Sequence, residues 1–271
     1  MKTEYSFSHG SYVHQISEKP SNRFRRHCHD QYELLFVLKG RGDFVVEGIK
    51  YPLYPGTVML FRQSEYHFVS VSEEEPYERI ILSFDKTVPI DAASRLRFLT
   101  IEAMPTHGVY FCNEGLFDRI LPSLLVLERL DHEAFRQHPS RREVLLQATV
   151  SQILLLLSLE QAHDSDIDIH PIVHRLIDYI NDHLTETLTL EFLAQHFFIS
   201  KYHLCRIFKE HMGISPLKYI STKRLLMAKQ LIQEGNTASK AALNVGFHDY
   251  SSFYRAYRAQ FGYPPSDSKS T

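Results

Sequence analysis

Residues 200–216 read SKYHLCRIFKEHMGISP, and residues 249–265 read DYSSFYRAYRAQFGYPP. The second stretch repeats the first at an offset of 49 positions, with a capping residue, apolar positions at helical spacing, an arginine, a glycine and a proline. The paired positions are Ser200 with Asp249, Leu204 with Phe253, Arg206 with Arg255, Phe208 with Tyr257, Gly213 with Gly262, and Pro216 with Pro265. Each copy, together with the apolar helix before it, has the plan of a helix-turn-helix motif. The chain is therefore predicted to carry two DNA-reading units in series.

The two repeated stretches predict a buried and an exposed face for each reading helix. Ser200 and Asp249 can cap these helices, because their side-chain oxygens can accept a backbone N–H of the first turn. The inward residues predicted from apolar spacing are Leu204, Ile207, Phe208 and His211 in the first helix, and Phe253, Tyr257 and Phe261 in the second. The predicted DNA-binding residues are Lys201, Tyr202, Cys205, Arg206 and Lys209, followed by Tyr250, Ser251, Ser252, Tyr254 and Arg255. A basic residue on an exposed helix is usually just solvated, but two matched arginines, each able to bond O6 and N7 of guanine, favour base reading.

A short acidic segment divides the chain. Residues 164–171 read DSDIDIHP, and because the closing proline cannot continue a helix, this segment is the predicted linker. After it, residues 172–271 are predicted to be all α, with about seven helices. Ser215 and Pro216 can begin a long helix that ends near Glu234 and joins the two repeats, since serine caps a helix and proline fits its first position.

Before the linker, the apolar periodicity changes from two to helical. Between about residues 24 and 84, short alternating stretches separated by turn residues predict a small antiparallel barrel or sandwich, within a domain of residues 1–112. Residues 113–163 carry leucines at spacings of three and four, which predicts two helices that either cover the barrel or form a dimer seam. The predicted fold class is α+β: a barrel with flanking helices, then an all-α domain with two helix-turn-helix units.

Composition and charge fit a folded protein of two ordinary domains. The chain has 271 residues, 44% of them apolar, and three cysteines without a CxxC pair, which favours a reducing compartment. Residues 1–12 lack the features of a secretory signal, and residues 144–159 are too short an apolar stretch to span a bilayer, so no membrane partner and a cytoplasmic location are predicted. Residues 172–271 hold 12 Lys/Arg against 8 Asp/Glu, while the preceding residues hold 18 against 24. The basic C-terminal part permits DNA binding without establishing it.

The C-terminal pattern resembles a known family. The motif consists of Leu193, Ala194, Ser200, Leu204 to Lys209, Gly213 to Pro216, Tyr219, Arg224, Ala228, Leu231, Val245 to Asp249, Ser252, Phe253 and Arg255. It covers about a hundred residues and is similar to the DNA-binding domain of the AraC/XylS family of bacterial transcription regulators. The resemblance implies that the two reading helices enter successive major grooves on one face of DNA. It places base contacts at Tyr202, Cys205 and Arg206 in the first copy, and at Tyr250, Ser251, Ser252, Tyr254 and Arg255 in the second.

Three positions depart from the family pattern in the second unit. Ala241 stands where isoleucine is usual, Lys240 precedes it, and Ser268 lies where a tyrosine often closes the domain. A smaller core and a looser end are expected there. Cys205 and Tyr250 are uncommon at reading places, so the operator of a relative does not carry over to this chain.

The N-terminal residues His27, His29, Glu33 and His67 resemble the metal-site motifs of the cupin barrel, which is often the N-terminal domain in this family. Residues 27, 29 and 33 are an even number of positions apart, so on a continuous strand their side chains point to one face. Three imidazoles and a carboxylate are a candidate shell for a divalent transition metal. The same four residues are the candidate effector pocket, in which they would bond a small molecule such as a sugar, with no cofactor required.

The leading functional hypothesis is a cytoplasmic, effector-responsive transcription regulator, and not an enzyme. It would act as an activator and homodimer, with promoter DNA, a small-molecule effector and RNA polymerase as partners. One alternative is a metal-dependent cupin enzyme with a helical appendage, and another is a constitutive DNA binder whose barrel only dimerises. No catalytic triad, phosphate loop or nucleotide fingerprint supports the enzyme hypothesis, which also leaves the doubled helix-turn-helix unexplained.

Overall fold

A computed structural model describes residues 2–7, 10–20, 24, 26–86, 88, 107–113, 115–129, 137–160, 162 and 170–269. The chain forms two compact units, Met1–Asp168 and Ile169–Thr271. The division falls within the predicted linker, of which residues 164–169 lie outside the described part of the chain.

The described residues of the first unit contain nine antiparallel strands in two sheets. The strands are β1 (Lys2–Phe7), β2 (Gly10–Ser17), β3 (Tyr32–Lys39), β4 (Gly42–Val46), β5 (Ile49–Leu53), β6 (Val58–Phe61), β7 (His67–Val71), β8 (Tyr77–Phe84) and β9 (Val109–Phe111). The larger sheet has the order β1-β2-β8-β3-β6-β9 and the smaller has the order β5-β4-β7. Strands β1, β2 and β9 lie outside the stretch from which a barrel was predicted. Strand β1 pairs with its neighbour β2, while β2 and β9 join the sheet through β8 and β6, which are far away in sequence.

The inner faces of the two sheets meet through aromatic rings. The ring of Phe44 on β4 lies 6.3 Å from that of Phe61 on β6 and 6.2 Å from that of Tyr110 on β9. The β4–β5 hairpin turns at Glu47 and Gly48, which both have positive φ (48° and 83°). A two-residue turn with positive φ at both positions matches the right-handed twist of the flanking strands. The smaller sheet therefore packs on the larger one through these rings, and a tight hairpin joins its own strands β4 and β5.

Two helices cover the other face of the larger sheet. They are α1 (Leu116–Arg129) and α2 (Pro139–Ser158). Their buried apolar residues join the core formed with the sheet: Leu116, Ile120, Leu124, Leu127, Leu146, Val150, Ile153, Leu154 and Leu157. This packing explains why β3 is buried on both faces. The outer surfaces of the two helices, together with the residue that follows α2, still expose Leu125, Val126, Val144, Leu155 and Leu159.

Residues 170–269 contain six α-helices and one 3₁₀-helix. They are α3 (Pro171–Asp182), α4 (Leu190–His196), α5 (Lys201–Met212), α6 (Pro216–Gln233), α7 (Ala238–Asn244), α8 (Tyr250–Phe261) and the 3₁₀-helix Pro265–Lys269. The predicted long helix is confirmed as α6, with the Ser215 side chain accepting the N–H of Lys218. Helix α3 begins at Pro171, because this proline occupies the first turn of the helix instead of closing the linker. None of the helices in the described parts of the chain has the length and hydropathy needed to cross a membrane.

The second helix-turn-helix has its own small core. Ala241 is fully buried there, and it packs in one cluster with Leu225, Phe253 and Tyr257. The looser end expected from Ser268 is wrong for the described residues, because Ser268 is completely buried and its hydroxyl is hydrogen-bonded to that of Tyr257. A small polar residue thus anchors the last turn by a buried hydrogen bond, at the place where the family often has a tyrosine.

Candidate functional site

The first reading helix, α5, begins and ends as its sequence predicts. The Ser200 hydroxyl accepts the backbone N–H of His203 at 3.2 Å, and Gly213 ends the helix with a left-handed φ of 70°. The inward residues Leu204 and Phe208 are fully buried. Opposite them lie the predicted reading residues: Lys201, Tyr202, Arg206 and Lys209 are exposed and Cys205 is half-buried. The helix therefore presents one continuous polar and aromatic surface to solvent.

Two of the cations on α5 are held by neighbouring side chains. Lys201 Nζ lies 2.7 Å from Glu191 Oε1 of α4, so this lysine is directed toward the first helix of its own helix-turn-helix. The Arg206 guanidinium lies 3.4 Å from Glu210 Oε1 and 3.3 Å from His203 Nδ1. These partners are one turn away on the same helix, so the Arg206 guanidinium is held over the exposed surface of α5 and stays accessible.

The second reading helix, α8, repeats this arrangement. The Asp249 carboxylate accepts the N–H groups of Ser251 at 3.2 Å and of Ser252 at 2.7 Å. The hydrogen bond from the Ser252 side chain, with these two N–H bonds, lowers the pKa of Asp249 and keeps the cap anionic. All five predicted reading residues, from Tyr250 to Arg255, are exposed, while Phe253 between them is fully buried. Arg255 Nη2 donates to Ser252 Oγ at 3.2 Å, in the way that Arg206 is held on α5.

The four predicted pocket residues of the first unit come together in one cluster. Candidate ligand atoms of His27, His29, Glu33 and His67 all lie within 4.8 Å of one another. Nε2 of His29 is 3.2 Å from Glu33 Oε2, and Nε2 of His67 is 4.0 Å from Glu33 Oε1. His27 is exposed, while Glu33 and His67 are buried, so the cluster has one side open to solvent.

The prediction that the side chains of residues 27, 29 and 33 share one face assumes that these residues lie on one continuous strand. That assumption is wrong, because the chain bends at Asp30 and Gln31 and β3 begins only at Tyr32. His27 instead forms an isolated bridge with His67, with N to O distances of 3.1 Å and 2.8 Å. The cluster is assembled by this bridge between segments distant in sequence.

Backbone carbonyls orient two of the imidazoles. Nδ1 of His67 lies 2.9 Å from the carbonyl oxygen of Glu65, and Nδ1 of His29 lies 2.8 Å from that of Gln31. An Nδ1 that donates to a carbonyl leaves Nε2 directed at the cluster. Nε2 of His67 is completely buried and makes no hydrogen bond among the described residues, and the ring stacks on Phe61 at 4.0 Å. His67 therefore presents an unsatisfied buried nitrogen to the cluster.

The charges in the cluster are arranged around Glu33. Burial alone would raise the pKa of Glu33, but the hydrogen bond and positive charge of His29 bring it down to about 2. Burial lowers the pKa of His67 to about 3, so this imidazole is neutral at physiological pH. The cluster thus offers a carboxylate and a neutral imidazole, which are the forms that accept hydrogen bonds or bind cations.

A second buried polar group supports the cluster and was not predicted from the sequence. The Glu65 carboxylate accepts the backbone N–H of Arg62 at 2.7 Å, its guanidinium at 3.1 Å and the N–H of Gly108 at 3.0 Å. Nδ1 of His107 lies 3.6 Å from the same carboxylate. Glu65 thereby fixes the loop whose carbonyl orients His67. Charged residues at 62 and 65 beside the apolar β6 are the one local signal, but the contact with residues 107 and 108 depends on the tertiary structure.

Comparisons with known proteins cover both regions. A family model described as a helix-turn-helix domain matches residues 193–270, and one described as an AraC-like ligand binding domain matches residues 9–97. The first range contains both reading helices, and the second contains the His27 to His67 cluster.

Two curated relatives match nearly the whole chain. The HTH-type transcriptional activator RhaS of Escherichia fergusonii is 24% identical over 257 residues, covering 92% of this chain and 88% of the relative. RhaS of Salmonella arizonae is 24% identical over 252 residues, with the same coverage. Among solved structures, a probable AraC family transcriptional regulator from Rhodopseudomonas palustris is 29% identical over 37% of this chain and 96% of that chain, with a TM-score of 0.35.

Proposed function

This chain belongs to the AraC family of transcription regulators, and we propose that it activates transcription as a homodimer when a small molecule occupies its N-terminal barrel. Members of this family bind DNA and respond to an effector, and this chain is such a regulator. We propose what is specific to this chain: its DNA-contacting residues, its effector site, its dimer surface and its sign of regulation.

The observation that carries the DNA-binding proposal is the matched pair of capped helices. In α5 and α8 the apolar face is buried and an arginine stands exposed at the equivalent position, Arg206 and Arg255. We propose that these arginines read bases, with Tyr202, Cys205, Tyr250, Ser251, Ser252 and Tyr254 beside them. Lys201 and Lys209 would contact phosphates, since lysine acts there as a point charge. Base readers on two helices would specify two half-sites on one duplex.

In vitro selection with the full-length protein tests this proposal on random duplex DNA, so no operator sequence has to be assumed. The DNA is enriched over several rounds, and the wild type is expected to select two short conserved half-sites. The double variant Arg206→Ala, Arg255→Ala should bind DNA but enrich neither. Genome-wide mapping of bound sites then identifies the regulated genes, and transcription with purified RNA polymerase decides the sign. Selection of no sequence by the wild type would reject specific DNA reading.

The effector proposal rests on the cluster of the first unit. A buried carboxylate and oriented imidazoles can hydrogen-bond the hydroxyl groups of a polar small molecule such as a sugar. A sugar that binds there should raise the melting temperature of the wild type by linkage, and should lose this effect in Glu33→Gln. Promoter occupancy that is identical with and without every sugar or related metabolite would favour the constitutive DNA binder instead.

A divalent transition cation is a second candidate occupant, favoured by the unsatisfied Nε2 of His67. Donor atoms at about 2.1 Å from one tetrahedral ion lie about 3.4 Å apart, so the widest pair here, within 4.8 Å, would have to close by at most about 1.4 Å. The donor set of nitrogens and one carboxylate oxygen suits Zn²⁺, Fe²⁺ or Ni²⁺ better than Mg²⁺ or Ca²⁺. The backbone carbonyls that hold His29 and His67 at Nδ1 are the usual outer partners of metal-binding histidines.

Metal binding is tested on the chelator-treated full-length protein by calorimetric titration with Zn²⁺ and Co²⁺. One equivalent is expected, with affinity reduced about tenfold or more in His27→Ala and in Glu33→Gln. His174→Ala, on α3 of the other unit, is the control for adventitious histidine binding. Because His27 is exposed, its replacement should leave the fold intact, which a melting curve checks. Substoichiometric binding, or equal affinity in all variants, would remove the metal from the proposal.

The homodimer proposal rests on the exposed apolar side chains of α1 and α2, which leave five aliphatic residues in water. An apolar surface of this kind is typical of a protein interface. Leu155→Glu should shift the protein from dimer to monomer in light scattering. Lys50→Glu introduces a negative charge at an exposed position of β5 in the smaller sheet, away from α1 and α2, and should leave the dimer intact. A wild type that is monomeric at every concentration would contradict the proposal.

We propose no catalytic role, and we propose a cytoplasmic location, where a regulator of this kind can meet its promoter DNA. The competing hypothesis of a metal-dependent enzyme requires turnover that depends on the cluster and persists when residues 172–271 are deleted.

A further inference from the structure

The connecting helix α6 belongs to both helix-turn-helix units. Near its start, the ring of Tyr219 packs on Phe208 of α5 at 5.6 Å, and the Tyr219 hydroxyl donates to Asn181 Oδ1 of α3 at 3.1 Å. Further along, Leu225 and Ala228 lie in the core of the second unit. Along α6, the packing therefore changes from the first helix-turn-helix unit to the second between residues 219 and 225.

Arg224 lies in this stretch of α6, and its guanidinium donates hydrogen bonds to both helix-turn-helix units. Nε donates to the carbonyl oxygen of Leu184 at 2.8 Å, and Nη2 donates to that of Glu186, both in the segment that follows α3. Nη1 donates to the carbonyl oxygen of Gly246 at 3.1 Å, in the turn between α7 and α8. The planar fork of an arginine suits several acceptors at fixed angles, which a lysine cannot match.

Gly246 shows how closely these segments approach. It has a φ of +87°, and a Cβ at this position would lie 2.8 Å from the carbonyl oxygen of Thr185 and 3.0 Å from Cζ of Arg224. No side chain fits between the turn that precedes α8, in the second helix-turn-helix unit, and the segment that follows α3, in the first. Arg224 thus hydrogen-bonds to two backbone segments that approach too closely to admit a side chain between them.

We infer that Arg224 is a positioning residue that fixes α5 and α8 relative to each other and so sets the spacing of half-sites that the protein accepts. The inference rests on the proposed reading of two half-sites. One base pair moves a half-site by about 3.4 Å along the duplex and turns it by about 35°. A firmly joined pair of readers should reject such a change, and a loosely joined pair should tolerate it.

The first experiment measures spacing tolerance with the full-length protein. From the site selected by the wild type, a series of duplexes is made with one or two base pairs added or removed between the half-sites. We expect the wild-type Kd to rise about tenfold or more on each change, and that of Arg224→Gln to rise less than about threefold from its own weaker starting value. Gly246→Ala should behave like Arg224→Gln, because its Cβ pushes the same segments apart. Gln230→Ala, an exposed position on α6, is the matched control and should behave like the wild type.

The second experiment needs no DNA, so it separates this inference from the proposed function. Spin labels are attached at Lys209→Cys on α5 and Arg258→Cys on α8, in a full-length chain with Cys28, Cys112 and Cys205 replaced by serine. The distribution of label distances should be narrow with Arg224 and Gln230→Ala, and clearly broader with Arg224→Gln and Gly246→Ala. Arg224→Lys, which keeps the charge, provides a milder variant if Arg224→Gln does not fold.

Equal distance distributions in all variants would overturn the inference, as would an unchanged spacing preference in Arg224→Gln. If the wild type selects no DNA, the proposed function fails while the distance measurement still decides the role of Arg224. A loss of affinity that is the same at every spacing would make Arg224 a purely structural residue.

Discussion

Replacing Arg206 by alanine tests base reading most directly. In the free protein its guanidinium contacts Glu210 at 3.4 Å and His203 at 3.3 Å, both on the same exposed helix surface. An exposed ion pair of this spacing contributes about 0.3–0.5 kcal/mol. A bidentate contact with guanine contributes about 1–3 kcal/mol, so the guanidinium gains by exchanging one for the other.

The expected size of the effect follows from these two contributions. Arg206→Ala loses the base contact but no longer has to break the pair with Glu210. The net cost at the selected site is therefore about 0.5–2.7 kcal/mol, or a Kd weaker by roughly 2- to 100-fold. On random DNA the loss should be slight, and the slope of log K against log salt should stay nearly unchanged, whereas a lost phosphate contact lowers it by about 0.9.

Fluorescence anisotropy over a salt series, with the selected site and a random duplex, measures both quantities. Lys209→Ala is the matched control, because it removes an exposed cation from the same helix and should weaken binding to both DNAs alike. Arg255→Ala should repeat the Arg206→Ala result at the other half-site. Equal losses on the two DNAs, together with a slope reduced by about 0.9, would assign Arg206 to a phosphate and refute the reasoning.

Three further predictions concern stability. Ser200→Ala should cost about 1 kcal/mol in the free energy of unfolding by removing the cap of α5, measured by urea denaturation against Ser239→Ala, and a cost equal to that control would contradict the capping role. Phe253→Ala should lower the free energy of unfolding by about 3–5 kcal/mol. It should remove the hydrogen-exchange protection of α8 and leave that of α5, since each helix-turn-helix unit has its own core, whereas loss of protection in both helices would show one shared core. Glu65→Gln should destabilise the first unit by about 3 kcal/mol, because Arg62 loses its buried counter-charge, and a cost below about 1 kcal/mol would mean that other partners suffice.

The helical half of the molecule was largely predictable from sequence, since helix signals are local. The capping roles of Ser200, Asp249 and Ser215 and the buried faces of α5 and α8 follow from residues within a few positions of each other. The burial of Ser268 is not predictable in this way, because whether a hydroxyl finds a buried partner depends on where Tyr257 lies, which the local pattern does not contain. Spacing thus predicted the helices better than the contacts between them.

The barrel was predicted less completely. Alternation found most strands of residues 24–84, but β1 and β2 were missed, and β9 is only three residues long, too short for a periodic signal. The four residues His27, His29, Glu33 and His67 were named correctly as a group, although the strand geometry used to join the first three was wrong. Their spacing suggested a shared site, and a different backbone path produced it.

By itself, the sequence determined the two reading helices with their caps and exposed arginines, because each depends on the period of a single element. The histidines and glutamate of the barrel were identified by their resemblance to a known motif, and no single strand carries them. Only the tertiary structure decided that His27 pairs with His67, that Glu65 fixes the loop beside them, and that Arg224 joins the two helix-turn-helix units through backbone carbonyls. These contacts connect residues that are distant along the chain. Their geometry is set by the folding of the chain between them, and no local period encodes it.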